Sequence, residues 1–111
     1  MGQVEIDLEW ESLVAKLTKT LGKKPNLDAI LYLIGIQELG KGIRRFSKEQ
    51  KQDLMHLGIC KVLSLAGYYV FEGNDDDGWP HYKLQKSLPQ FKIDEQEKLL
   101  KMYILEYFSE L

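Results

Sequence analysis

The chain has 111 residues, enough for one domain with a single core and too few for two of ordinary size. Hydrophobic residues make up 44% and charged residues 29%, an ordinary globular composition that argues against intrinsic disorder. The formal charge of −2 and the isoelectric point near 5.7 exclude a global electrostatic pull toward nucleic acid or anionic membrane.

The single cysteine, Cys60, cannot form an intrachain disulfide. Met1 to Trp10 is acidic and lacks the basic start and apolar stretch of a signal peptide. The longest apolar run, Ala29 to Ile36, is too short to span a bilayer. These features set a cytoplasmic protein with no membrane partner as the expectation.

A first helix is predicted over Ile6 to Leu21. Trp10, Leu13, Val14, Leu17 and Leu21 recur at spacings of three and four, which puts them on one stripe. Gly22 suits a C-terminal cap, and Lys23-Lys24-Pro25 reads as a linker. Asn26 suits the N-cap of a second helix, Leu27 to Leu39, ended by Gly40. That helix is apolar nearly all the way round, so it must be central to a core or covered by a partner.

Gly40 to Phe46 reads as a loop. Ser47 with Gln50 three residues on is a capping-box pattern, opening a third helix that runs to about Ala66 and closes at Gly67. Leu54, Met55, Gly58, Ile59, Val62, Leu65 and Ala66 share its apolar face. Gly58 costs helix propensity there, and a close helix crossing would account for it.

Tyr68 to Ser87 breaks the helical period. Tyr68-Tyr69-Val70-Phe71 is rich in strand formers, Gly73 to Gly78 is a turn signal, and Tyr82-Lys83-Leu84 suits a returning strand. A short β-hairpin or ordered loop is therefore predicted, with Pro80 confining any strand there to an edge. Asp94 with Glu97 suggests a cap for a last helix, Glu95 to Ser109, whose apolar side is Leu99, Leu100, Tyr103, Ile104, Tyr107, Phe108 and Leu111. The expected fold is mainly α: one domain over residues 1–111, a small bundle of about four helices with the hairpin or loop inserted at about 68–87.

Four constellations could carry function. Asp75, Asp76 and Asp77, with His81 nearby, offer oxygen and nitrogen ligands for a metal. An EF-hand fit fails, since Gly78 at the sixth loop position puts Gly73 at the first and Leu84 at the twelfth. The same residues are turn formers in their own right. His56 and Cys60 lie one helical turn apart, with Asp53 on the same flank, a spacing that suits zinc. The chain lacks enough further cysteine and histidine for a structural zinc site, and a mid-helix Cys60 among apolar residues is a poor nucleophile.

Lys23, Lys24, Lys41, Arg44 and Arg45 form two basic loops at opposite ends of the second helix. Gly40-Lys41-Gly42 lacks the spacing of a phosphate-binding loop, so nucleic-acid or nucleotide binding is disfavoured. Finally, Tyr68, Tyr69, Phe71, Trp79, His81 and Tyr82 crowd aromatic rings around an acidic tip. Such rings suit interfaces and ligand pockets, although Trp79 and Phe71 could instead join the core.

No hydrolase, metalloprotease or dinucleotide motif is present, and no cofactor is implied. The reading leans away from an enzyme and toward a protein-interaction module. Self-association through the apolar faces of the second and third helices is one expected form. The alternative is a metal- or small-molecule-binding domain that uses the acidic loop at 74–81.

Overall fold

The computed structural model describes residues 2–111. They form helices α1 (Gln3–Leu21), α2 (Leu27–Leu39) and α3 (Lys48–Ser64), then strands β1 (Tyr69–Asn74) and β2 (Pro80–Leu84), and finally helix α4 (Ile93–Ser109). The predicted class is observed: four helices with a two-stranded antiparallel hairpin before the last. No helix among the described residues is long and apolar enough to cross a membrane. The chain divides into two compact units, residues 1–26 with 90–111, and residues 27–89.

In the first unit α1 lies against α4. Ile6 and Val14 of α1 and Ile104 and Tyr107 of α4 are buried, while Trp10, Leu13 and Leu17 are half-buried. The three-and-four spacing thus reaches back one turn further than expected, to Ile6. Gly22 adopts a left-handed conformation and its N–H donates to the Thr18 carbonyl, the expected cap. Two expectations need correction here. Leu21 and Leu111 are exposed, because both stand where their helix has ended or is ending. The start of α4 is set at Lys92 rather than Asp94: the Glu95 carboxylate accepts from the Lys92 backbone N–H at 3.3 Å, so Asp94 falls in the first turn.

The second unit is built on an antiparallel pair, α2 and α3. A Cβ on Gly35 would overlap the backbone carbonyl of Leu54, and a Cβ on Gly58 would overlap that of Leu31. Each helix therefore presses its glycine into the other's backbone, four residues from the carbonyl that receives the opposite glycine. The close crossing expected at Gly58 is present, and Gly35 is its reciprocal half. Ile30, Leu31, Ile34 and Leu39 of α2 and Leu54, Leu57, Cys60, Val62 and Leu63 of α3 are buried around it.

The α3 start is the predicted capping box. Gln50 N–H donates to Ser47 Oγ at 3.1 Å, and Ser47 N–H donates to Gln50 Oε1 at 2.9 Å. The helix ends at Ser64, earlier than expected, because Leu65, Ala66 and Gly67 donate to carbonyls three residues back in a tightened last turn. The loop before α3 also contributes to the core. Phe46 is buried with Leu39, Leu54 and Leu57, and its ring meets Tyr32 edge-on at 6.4 Å.

No large hydrophobic residue of α2 or α3 is exposed. The apolar residues of the second helix, which surround its axis, are thus buried or half-buried within the chain. In the second unit the exposed large hydrophobics are Ile43 in the loop, Val70, Phe71 and Leu84 in the hairpin, and Leu88 just beyond it.

Replacing Gly58 by Ala separates two effects of opposite sign. Helix propensity alone favours Ala by about 1 kcal/mol. Forcing a methyl against a backbone carbonyl costs about 1–3 kcal/mol or more. The crossing predicts that Gly58→Ala and Gly35→Ala each lower the midpoint of thermal unfolding measured by circular dichroism. A rise in either midpoint contradicts the crossing.

Candidate functional site

The hairpin begins at Tyr69 paired with Leu84, continues through Val70–Lys83 and Phe71–Tyr82, and resumes after a bulge at Glu72 with Gly73–His81 and Asn74–Pro80. Directly opposed residues share a face, so Phe71 and Tyr82 meet edge-on at 5.6 Å. Pro80 begins β2, a position that needs no ladder donor.

The turn between the strands is organised by one carboxylate. Asp75 Oδ1 accepts from the backbone N–H groups of Asp77 and Trp79, each at 2.9 Å. Asp75 Oδ2 pairs with His81 Nε2 at 2.8 Å. Two backbone bonds close the same loop: Asp75 N–H to the Trp79 carbonyl, and Gly78 N–H to the Asp75 carbonyl. Gly78 takes a left-handed φ of 83°, which a side chain would strain. Hydrogen bonding from His81, followed by the bonds from Trp79 and Asp77, holds the Asp75 carboxyl below the usual carboxylate range.

Lys41 ties this turn to the α2–α3 loop. Its Nζ donates to the Asp77 carbonyl and lies beside Gly78. Arg44 stacks over the Phe46 ring at 5.3 Å. The lysine and arginine that raised nucleotide binding thus hold internal contacts in the fold.

Trp79 and Tyr82 pack against the Leu39, Phe46, Leu54 and Leu57 cluster, so the hairpin docks on α3 through these rings. Of the two residues expected to join the core, Trp79 does so. Phe71 does not: it is 52% exposed, standing beyond the docked rings on a strand whose other neighbours reach solvent. Tyr69 is half-buried and His81 exposed. Burial, followed by the nearby Glu38 carboxylate, pushes the Tyr82 hydroxyl up to about 12, so it remains a neutral donor at ordinary pH.

A cleft of about 480 Å³ opens between α3 and the hairpin tip. The helix contributes Gln50, Asp53, His56, Leu57 and Cys60. Asp75, Trp79, Pro80, His81 and Tyr82 come from the hairpin. Two constellations that looked unrelated in sequence, Asp53-His56-Cys60 and the 75–82 loop, therefore line one cavity. Within it His56 Nε2 lies 3.5 Å from Cys60 Sγ. Burial pushes the Cys60 thiol up to about 11, which makes it a small apolar wall group rather than a nucleophile.

Among the described residues no three acidic, histidine or cysteine side chains gather as metal ligands. Asp75 already accepts three hydrogen bonds within the turn, and Asp76 and Asp77 are exposed at its tip. Sequence reasoning missed Gln50 as a wall of the cleft, where its capping role was the only signal. It also missed Lys41 as a clasp, which neither spacing nor composition encodes.

Comparison with protein-family models, with curated proteins and with solved structures finds no match.

The Asp75 carboxylate is stabilised in the folded state, so its contribution is present above the ordinary carboxylate pKa and is lost as pH falls through the lowered folded value. Carboxyl NMR should show Asp75 titrating below an ordinary aspartate, with the Trp79 and Asp77 amide signals moving at the same midpoint. Asp75→Asn should abolish that step, and a midpoint at the ordinary value argues against the turn network.

For Cys60 the sign is reversed. A raised thiol pKa contributes stability below about pH 9 and loses it as pH climbs toward 11. At pH 8 the native thiol should react with a maleimide at least about tenfold more slowly than the urea-unfolded chain.

Proposed function

We propose that the protein is a non-catalytic interaction module that binds a protein partner, or a second copy of itself, through the hairpin Tyr69–Leu84. The observation that carries this reading is where the exposed apolar surface lies. In the unit 27–89, Val70, Phe71 and Leu84 stand exposed on the hairpin, while α2 and α3 expose no large hydrophobic residue. Phe71 and Leu84 lie on one face of the hairpin and Val70 on the other, and exposed apolar residues with a polar surround are what protein interfaces use. The hairpin is held firmly enough to present them, with Trp79 and Tyr82 docked on the core cluster and the turn clasped by Lys41 and Asp75. A cytoplasmic setting belongs to the same reading, and the buried free thiol of Cys60 accords with it.

The second reading, a metal- or small-molecule-binding domain, draws on the meeting of Asp53, His56 and Cys60 with Asp75 and His81 in one cleft. Calcium, magnesium or zinc titrations followed by tryptophan fluorescence and thermal unfolding test it. Saturation with a rise in unfolding midpoint would favour it.

For the interaction reading the diagnostic change is Val70→Glu. Val70 is 43% exposed and opposes Lys83, so a glutamate gains a cross-strand partner and the hairpin keeps its fold. Sedimentation equilibrium of the wild type reports self-association directly. Whichever association is found, with itself or with a partner, Val70→Glu on one face or Phe71→Glu on the other should weaken it at least about tenfold with the chain still folded. Association that survives both changes unaltered would sink the hairpin as the interface.

A further inference from the structure

We propose that the cleft beside the hairpin receives an arginine side chain of a protein partner. This rests on the interaction reading above and names the chemistry that such a partner would present.

Three features of the cleft support it. Its charge is one-sided: Asp53 and Asp75 line it, and no lysine or arginine does. Of the two histidines, His81 is paired with Asp75 and His56 lies against Cys60. The hairpin wall is aromatic, with the half-buried rings of Trp79 and Tyr82 held in place by the core cluster. Fixed aromatic rings beside carboxylates favour a cation with a flat, weakly hydrated head, which is guanidinium rather than ammonium. Finally, acceptor capacity remains. Asp53 is exposed on α3 and its side chain forms no hydrogen bond or ion pair among the described residues, and the Gln50 side-chain oxygen that caps Ser47 keeps a second lone pair.

The cleft also adjoins the displayed apolar surface. Tyr82 lines it, and Phe71, exposed on the hairpin, contacts Tyr82. A partner segment laid on Phe71 would carry an arginine within reach of the cleft, so that apolar contact and charge complementarity act together.

The test uses the full chain and two capped amino acids, N-acetyl-arginine methylamide and N-acetyl-citrulline methylamide. Citrulline keeps the shape and removes the charge. In nitrogen-edited NMR titrations the arginine probe should shift the Trp79 indole N–H and the Asp53 and His56 amides to saturation. Its midpoint should lie at least about fivefold below that of citrulline, and raised salt should weaken it. Asp53→Asn, at an exposed helix position, should weaken arginine binding at least about threefold, whereas Val70→Glu should leave it unchanged. Equal titration by the two probes, or shifts scattered outside the cleft, overturns the proposal. Free arginine binding far more tightly than the capped form also overturns it, since the cleft would then be reading a small molecule's own amine or carboxylate.

The two readings fail separately. If association with the protein's partner falls on Val70→Glu but is untouched by Asp53→Asn, the cleft inference is lost and the hairpin interface stands. If the probe binds as expected but neither Val70→Glu nor Phe71→Glu disturbs association, the hairpin reading is lost instead.

Discussion

The second unit depends on the contact between α2 and α3 at Gly35 and Gly58. Each glycine meets the other helix's backbone carbonyl, so the axes are closer than side chains would permit. That approach fixes the register of the pair, because only these two positions lack a Cβ along the contact. It also explains why two helices rich in leucine and isoleucine tolerate a residue that weakens each of them. The core cluster of Leu39, Phe46, Leu54 and Leu57 forms at one end of this pair, and it is the surface on which the hairpin docks. A shift in the crossing would move the hairpin's platform and with it the cleft.

The hairpin is too short to hold itself together in water. Two external supports and one internal one replace the missing strands: the core cluster under the rings of Trp79 and Tyr82, the Lys41 bond to the Asp77 carbonyl, and, within the turn, the Asp75 carboxylate that gathers two backbone N–H groups and His81. Anchoring one set of rings leaves the rest of the hairpin's apolar residues without cover. Val70, Phe71 and Leu84 are therefore exposed as a consequence of how the hairpin is fastened. The acidic turn, which in isolation suggests a metal loop, spends its first carboxylate on its own backbone.

Much of the secondary structure was legible because its signals are local. The capping box at Ser47 and Gln50, the left-handed glycines at 22 and 40, and the turn residues at 73–78 each act within a few positions. The bounds of α2 were read correctly on that basis. Where the reading slipped, two local signals competed. Asp94 and Lys92 both precede a glutamate by three residues, and the Glu95 carboxylate met the backbone N–H of Lys92. Gly35 went unremarked although it interrupts the apolar helix as Gly58 does. The pair becomes meaningful only when both helices are placed.

By itself, then, the sequence determined which segments are helical, where the chain turns, and which residue types could carry chemistry, since propensity, capping and period are properties of neighbours in the chain. Tertiary structure alone decided what those residues do. It buried Phe46 and left Phe71 exposed, although both are phenylalanines in non-helical segments, because only one lies over the helix pair. It placed Asp53, His56 and Cys60 beside a loop some twenty residues further along, turning two weak motifs into one cleft. Such convergence depends on where α3 and the hairpin meet, and that is set by backbone contact and ring packing between distant segments, which no local pattern records.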